Sequence, residues 1–284
     1  MKIGSYELHS IETGRFGLDG GAMFGIVPKT IWSKLNPPDD ENRIDLALRT
    51  LLITGNKRNI LVDNGIGTKF SEKYKKIYKI DHSKHNLDSS LKRYNLETRD
   101  ITDVILTHLH FDHAGGSTYR EDGEIKLTFP NATYYVQKAN YEWALIPNDK
   151  ERGSYLKENF IPVLEKGKLQ LVEGKFEIMP HIDVIISDGH TTGLQLVRIS
   201  DERNTLVYCA DLIPTTSHIK LPYIMGYDID SLKIIQEKKE LLSKACSDGW
   251  ILFFEHDVIT EAAKVKKTEK GFELMEKVSL DSYI

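Results

Sequence analysis

Apolar residues in this chain come in short blocks, and several blocks end on a histidine or a carboxylate. "KIGSYELHSIETG" (2–14) predicts a strand, followed by a Gly-rich loop, "GLDGGAMFG" (17–25). "DLALRTLLITG" and "KRNILVDNG" read as two strands joined by the turn "TGNKR", a hairpin. The polar stretch 68–100 holds one window of helical spacing, "NLDSSLKRYNL", with Asn86 or Asp88 as its cap. "ITDVILT" then reads as a buried strand, "ATYYVQ" as another, "KANYEWALI" as a short helix and "SYLKENFIPVLEK" as helical. Four strand-like runs follow: "LQLVEG", "IDVIISDG", "LQLVRIS" and "NTLVYCAD". "DSLKIIQEKKELLSKACSDG" is the clearest amphipathic helix and ends near Gly249; "ILFFEHD" is a strand that stops at a histidine. Hairpins first, then strands alternating with helices twice over, suit an α/β fold of two packed sheets with helices outside.

Composition narrows the function classes. The 284 residues are 40% apolar and 28% charged, with a formal net charge of −4. Without a basic excess, neither nucleic acid nor an anionic membrane is an expected partner. Two cysteines, Cys209 and Cys246, fit a reducing, cytoplasmic setting without a disulfide framework. The opening "MKIGSYELHS" has no apolar signal region. No run approaches the roughly 20 apolar residues of a membrane span.

The chemistry concentrates in "ILTHLHFDHAGG" (105–116), which places His108, His110, Asp112 and His113 within six positions after an apolar run. Imidazoles and carboxylates are the ligands of zinc and similar divalent ions. Residues two apart on extended chain point the same way, so His108 and His110 can grip one ion. Asp112 and His113, after the chain turns, face a neighbouring one. His190, Asp211 and His256 share the context, each closing an apolar block; His9, His82, His85 and His181 do not, and read as surface or locally bonded residues. His218 reads equally as a pocket or a surface residue. Asp63 ends "NILVD" and reads either as a partner for a ligating imidazole or as a turn cap. Thr107 and Asp188 are weaker candidates of the same kind. Gly115 and Gly116 are expected to let the chain turn tightly. Ligands drawn from both halves of the chain imply one domain, 1–284.

"THLHFDHAGG", with His190, Asp211 and His256 behind it, resembles the signature of the metallo-β-lactamase-fold hydrolases. The resemblance implies a four-layer αββα sandwich. It implies one metal held by His108, His110 and His190, a second by Asp112, His113 and His256, and Asp211 bridging both. Zinc is the default, with manganese, iron or cobalt able to fill such sites. Position 211 is Asp where many β-lactamases of the fold carry Cys, and Cys209 reads as a core residue. Position 110 is His where the redox di-iron branch carries a carboxylate. Both features favour hydrolysis, with water activated between two ions and Asp112 moving the proton.

"GLDGGAMFGIVPKTIW" and "ADLIPTTSHIKLPYIMGYDI" resemble the quorum-quenching N-acyl homoserine lactonase-like and methyl parathion hydrolase-like branch. That implies a small ester or lactone substrate. The apolar wall it implies comes from Met23, Phe24 and Ile26, with Phe111, Leu221, Tyr223 and Met225 joining, and His218 or Tyr223 as candidate stand-ins for a substrate-facing tyrosine; each apolar member reads equally as core. Homoserine lactonases carry a tyrosine three residues after the bridging aspartate; this chain has Pro214. A thioesterase of the glyoxalase-II type or a phosphoester or phosphotriester hydrolase on the same metal pair is the alternative, and a non-catalytic zinc protein a remote one. Related enzymes with a long N-terminal loop are often dimers, so a homodimer is the expectation.

Overall fold

The computed structural model describes residues 1–280. Nine strands come from the first part of the chain: β1 (Lys2–Ile3), β2 (Tyr6–Asp19), β3 (Arg43–Gly55), β4 (Arg58–Val62), β5 (Asp103–Ile105), β6 (Thr118–Glu121), β7 (Glu124–Leu127), β8 (Thr133–Gln137) and β9 (Leu169–Val172). Seven follow: β10 (Glu177–Met179), β11 (Ile182–Ser187), β12 (Leu194–Ser200), β13 (Thr205–Tyr208), β14 (Ile251–Phe253), β15 (Ala262–Thr268) and β16 (Gly271–Val278). The first sheet has the order β1-β2-β3-β4-β5-β8-β9, and the second runs β10 to β16 in chain order. β6 and β7 form a separate small hairpin.

Alternation along the strands explains the layers. Leu51, Ile53, Ile60, Val62 and Ile105 join one core with residues of the second sheet, such as Leu196, Leu206 and Phe253. Their neighbours Leu52, Leu61 and Val104 bury on the opposite face, in a core with Tyr141, Ala144 and Val163 from the helices Lys138–Leu145 and Ile161–Glu165. A strand buried on both faces reads as a continuous apolar run, and successive side chains serve opposite cores. The second sheet is covered by the helix Ser231–Asp248, through Ile234, Leu241, Leu242 and Ala245. The result is a mixed α/β sandwich of two sheets between helical layers.

Local chemistry sets the boundaries. Asn86, rather than Asp88, caps Leu87–Lys92, its side chain accepting from the Ser89 N–H at 2.9 Å. Asp230 caps the long helix, and Gly249 closes it in the left-handed conformation at φ 68°. Several segments differ from expectation. β2 continues to Asp19, and Gly20–Phe24 is a short helix capped by Asp19 where a loop was expected. "SYLKENFIPVLEK" splits into a 3₁₀ turn, Lys157–Asn159, and the helix Ile161–Glu165, because Pro162 suits only a helix start. The hairpin β15–β16 and the short β10 were not foreseen; lysines along β15 mask its alternation with Val265. No helix among the described residues is long and apolar enough to cross a membrane.

Parallel pairing of β4, β5 and β8, and of β13 with β14, aligns strand ends in each sheet. Asp63 follows β4, the histidine cluster follows β5, Asp211 follows β13 and His256 follows β14. The carboxyl ends of parallel strands are where α/β folds place ligands.

Candidate metal centre

Seven side chains from these strand ends meet. His108, His110, His190 and Asp211 form one buried group of potential ligand atoms within 4.8 Å, and Asp112, His113 and His256 form another. In the first, His108 Nε2 lies 3.0 Å from His110 Nδ1, which lies 3.2 Å from His190 Nε2. Asp211 Oδ2 stands 3.1 Å from His190 Nε2 and 3.7 Å from His108 Nε2. In the second, His113 Nε2 and His256 Nε2 are 3.3 Å apart. Asp112 Oδ2 is 3.7 Å from His256 Nε2 and 3.9 Å from His113 Nε2. Asp211 spans both groups: Oδ2 lies 3.3 Å from His113 Nε2, and Oδ1 3.3 Å from His256 Nε2.

The donor chemistry fits cations. The far nitrogens of the rings face acceptors: His190 Nδ1 meets Asp228 Oδ1 at 2.9 Å, His256 Nδ1 the Ala47 carbonyl at 2.8 Å, and His108 Nδ1 the Thr107 hydroxyl at 3.1 Å. His113 Nδ1 meets Asp63 Oδ2 at 3.0 Å and Glu255 Oε2 at 2.9 Å. With the outer nitrogens bonded, the inner nitrogens converge on one another and on Asp211, where either protons or a cation must lie between them. Asp211 Oδ1 is buried without a hydrogen-bond partner, which a second cation would satisfy.

The carboxylates that would neutralise a cation also hold protons on some of these rings. Burial, reinforced by the neighbouring histidines, pushes His108 well down; burial also lowers His110. Burial works against His113, His190 and His256 as well, but carboxylates overcome it. Glu255 and Asp211 hold His113 well above the usual range, Asp211 and Asp228 raise His190 to about 10, and Asp211 and Glu255 raise His256 to about 9. Burial would raise Asp211, yet His113 and His190 keep it well below the usual carboxylate range. Burial lifts Glu255 to about 7 despite His113.

The supporting backbone is strained at two points. Asp63 and Ala210 sit at φ 58° and 44°, a region that costs a non-glycine residue about 1–3 kcal/mol. Asp63 is held there by its carboxylate, which accepts from the Thr107 N–H and hydroxyl at 2.7 Å each. Gly115 and Gly116 serve close approach rather than an unusual turn. A Cβ on Gly115 would lie 2.2 Å from the Ile66 carbonyl oxygen, and one on Gly116 2.2 Å from that of Asn64. Gly115→Ala is therefore expected to cost about 1–3 kcal/mol by overpacking, visible as a fall of several degrees in thermal unfolding. An unchanged Tm would show that the loop yields freely.

A cavity of about 260 Å³ opens onto the centre, bounded by His110, Asp112, His190, Asp211 and His256 on the polar side. Of the residues expected to wall it, Met23 and Phe111 do, and Met225 joins them. Phe24, Ile26, His218, Leu221 and Tyr223 do not. Phe24 is fully buried, stacked on Trp32 at 5.5 Å and on His218 at 4.8 Å. His218 spends one ring nitrogen on the Met23 carbonyl and the other on the Thr215 hydroxyl, each at 2.8 Å, so it supports the wall from behind. Tyr223 meets Phe24 edge-on at 6.1 Å, and Ile26 is 81% exposed. Asp188 pairs with Lys233 at 3.0 Å and caps Gly193, away from the ligands. Cys209 is buried in the core.

Three carboxylates at the centre were not singled out from the sequence. Asp228 and Glu255 face the outer nitrogens of His190 and His113. Glu151 lines the cavity, with Oε1 3.5 Å from His110 Nε2. Burial raises Glu151, but the facing His110 and donors from Thr191 and Trp143 bring it down to about 2. Glu255 adjoins His256 in "FFEHD", a signal that was available. Asp228 and Glu151 lie in loops with no local pattern. Tyr78 and Tyr227 also line the cavity.

A family profile described as the Metallo-beta-lactamase superfamily matches residues 49–256. An N-acyl homoserine lactonase of Bacillus cereus is 31% identical over 175 residues, covering 60% of this chain and 62% of that one. The N-acyl homoserine lactonase AttM of Azorhizobium caulinodans is 27% identical over 55% of this chain and 59% of its own. The chain thus spans about three-fifths of the length of these relatives. Among solved structures, a probable metal-dependent hydrolase from Staphylococcus aureus superposes with a TM-score of 0.86 at 31% identity, covering 98% of this chain and 100% of that one. The dizinc quorum-quenching lactonase AidC, in complex with a product, shares the fold at a TM-score of 0.80 and 22% identity, over 98% of this chain and 96% of its own.

Proposed function

This chain belongs to the metallo-β-lactamase superfamily, and on that premise we propose that it is a two-metal hydrolase that opens lactones of the N-acyl homoserine type. The observation that carries the proposal is the convergence of seven candidate ligand side chains, shared through Asp211, five of which bound a cavity walled by Met23, Phe111 and Met225. The lactonases among its relatives favour a lactone over other esters. His108, His110 and His190 would hold one ion, Asp112, His113 and His256 the other, and Asp211 both. Zinc suits imidazole and carboxylate donors first. Two such ions supply an acidified water and polarisation of the ester carbonyl.

The chain's own residues do the rest. Asp112 borders both the cavity and the second histidine pair. It is placed to take the proton of the attacking water and return it to the ring oxygen as the C–O bond breaks. The products are a carboxylate and a free hydroxyl. Asp228 and Glu151 hold His190 and His110 in orientation. The apolar wall receives the acyl chain and keeps bulk water from the centre.

Acid release tests this. Zinc-loaded protein is expected to acidify solutions of short- and long-chain N-acyl homoserine lactones, and His108→Ala to abolish the release. Turnover of a thioester or phosphotriester with none on any lactone would replace lactones by those substrates.

A further inference from the structure

We infer that Glu255 positions His113 alongside Asp63, and that Glu255 serves the second metal position (Asp112, His113, His256) alone, whereas Asp63 serves both positions. The inference rests on the two-metal reading above.

Two fully buried carboxylates compete for one N–H. His113 Nδ1 lies 3.0 Å from Asp63 Oδ2 and 2.9 Å from Glu255 Oε2, and an imidazole offers a single proton at that nitrogen. Asp63 is already occupied. Its Oδ1 takes the Thr107 N–H and its Oδ2 the Thr107 hydroxyl. That hydroxyl lies 3.1 Å from His108 Nδ1, so by donating to Asp63 it can accept from His108. Asp63 therefore reaches the first metal position through Thr107 and His108, and the second through His113.

Glu255 has no such second duty. Neither of its oxygens completes a hydrogen bond; Oε2 stands in ion-pair contact with His113 Nδ1 at 2.9 Å. The Tyr208 hydroxyl close by donates instead to the Arg49 carbonyl at 3.1 Å. The segment that carries Glu255 is held firmly. Arg49 N–H donates to the Glu255 carbonyl at 3.2 Å, and the Arg49 guanidinium reaches the Phe254 carbonyl at 2.9 Å and that of Asp257 at 2.5 Å. A rigid carboxylate with one partner is what orienting a ligand requires, and such outer partners govern metal affinity by about 10–100-fold.

The test uses metal-free full chain titrated with zinc alone against a chromophoric chelator, so no activity is read. Wild type is expected to bind two equivalents. Glu255→Gln, which keeps the size and removes the charge, is expected to weaken one equivalent by about 10–100-fold and leave the other within about twofold. Asp63→Asn is expected to weaken both. Glu255→Asp keeps the charge, guards against a misfolded Gln variant, and is expected to weaken the same single equivalent by less. Wild-type affinity for both equivalents in Glu255→Gln, or an equal loss of both with unchanged thermal unfolding, would overturn the inference. Failure of wild type to bind zinc at all would overturn the two-metal reading itself.

Discussion

Asp211→Ala is expected to reduce lactone opening by about 10⁴-fold or more, the scale seen when a member of an interdependent catalytic set is removed. The reason is geometric. Among the described residues, Asp211 is the one carboxylate whose two oxygens face both histidine groups, with Oδ2 at 3.1 Å from His190 and Oδ1 at 3.3 Å from His256. No neighbour can replace it, because Asp112 reaches only the second group and Asp228 faces the outer nitrogen of His190. In metal-free protein the same substitution leaves His113, His190 and His256 without their shared counter-charge. Breaking a buried pair of this kind costs about 3–5 kcal/mol. Asp211→Asn, which preserves volume, separates the loss of charge from the loss of packing. Turnover and zinc per chain should fall together in both variants. An Asp211→Ala protein that kept two equivalents and a tenth of the wild-type rate would show that Asp211 does not bridge.

The second large effect is a steep dependence of metal loading on pH. Metal-free protein keeps protons on His190 up to about pH 10 and on His256 up to about pH 9, and His113 is raised in the same sense. An ion binds only unprotonated nitrogen, so loading at neutral pH must displace these protons. Each displaced proton changes the apparent affinity about tenfold per pH unit. Zinc affinity is therefore expected to rise at least about hundredfold from pH 6 to 8, where one proton per ion suffices. Calorimetry in two buffers of different ionisation enthalpy counts the protons released. Affinity flat across that range would mean that the inner nitrogens are already unprotonated. The folding of metal-free protein runs the opposite way. Raised histidine pKa values stabilise the fold below the ordinary histidine pKa of about 6.5, and the benefit fades as pH climbs through about 9–10.

How much of this was legible in the sequence follows from the range of each interaction. Strand runs such as "ITDVILT" and "IDVIISDG" announce themselves because burial acts on each position, and the period is local. The seven ligand candidates stood out because strand ends in an α/β fold are also site positions. What local pattern did not reveal depends on contacts between distant segments. Glu151 meets the centre only because the loop after Lys138–Leu145 folds back over His110, and Asp228 only because its loop returns to His190. His218 and Phe24 looked like pocket residues because their segments flank the centre. The hydrogen bond from His218 to the Met23 carbonyl turns both inward and leaves Met23 at the cavity. Gly115 and Gly116 were read as turn residues, but their role belongs to the packing of 64–66 against 115–116, a contact invisible to a local rule.

Two-metal lactone opening is tested most directly by the rate of N-hexanoyl homoserine lactone hydrolysis as metal-free protein is loaded with zinc. No turnover is expected without zinc, and the rate should reach its full value only at two equivalents per chain. Full turnover by the metal-free protein, or a fully loaded protein inert toward the lactone, would contradict this expectation.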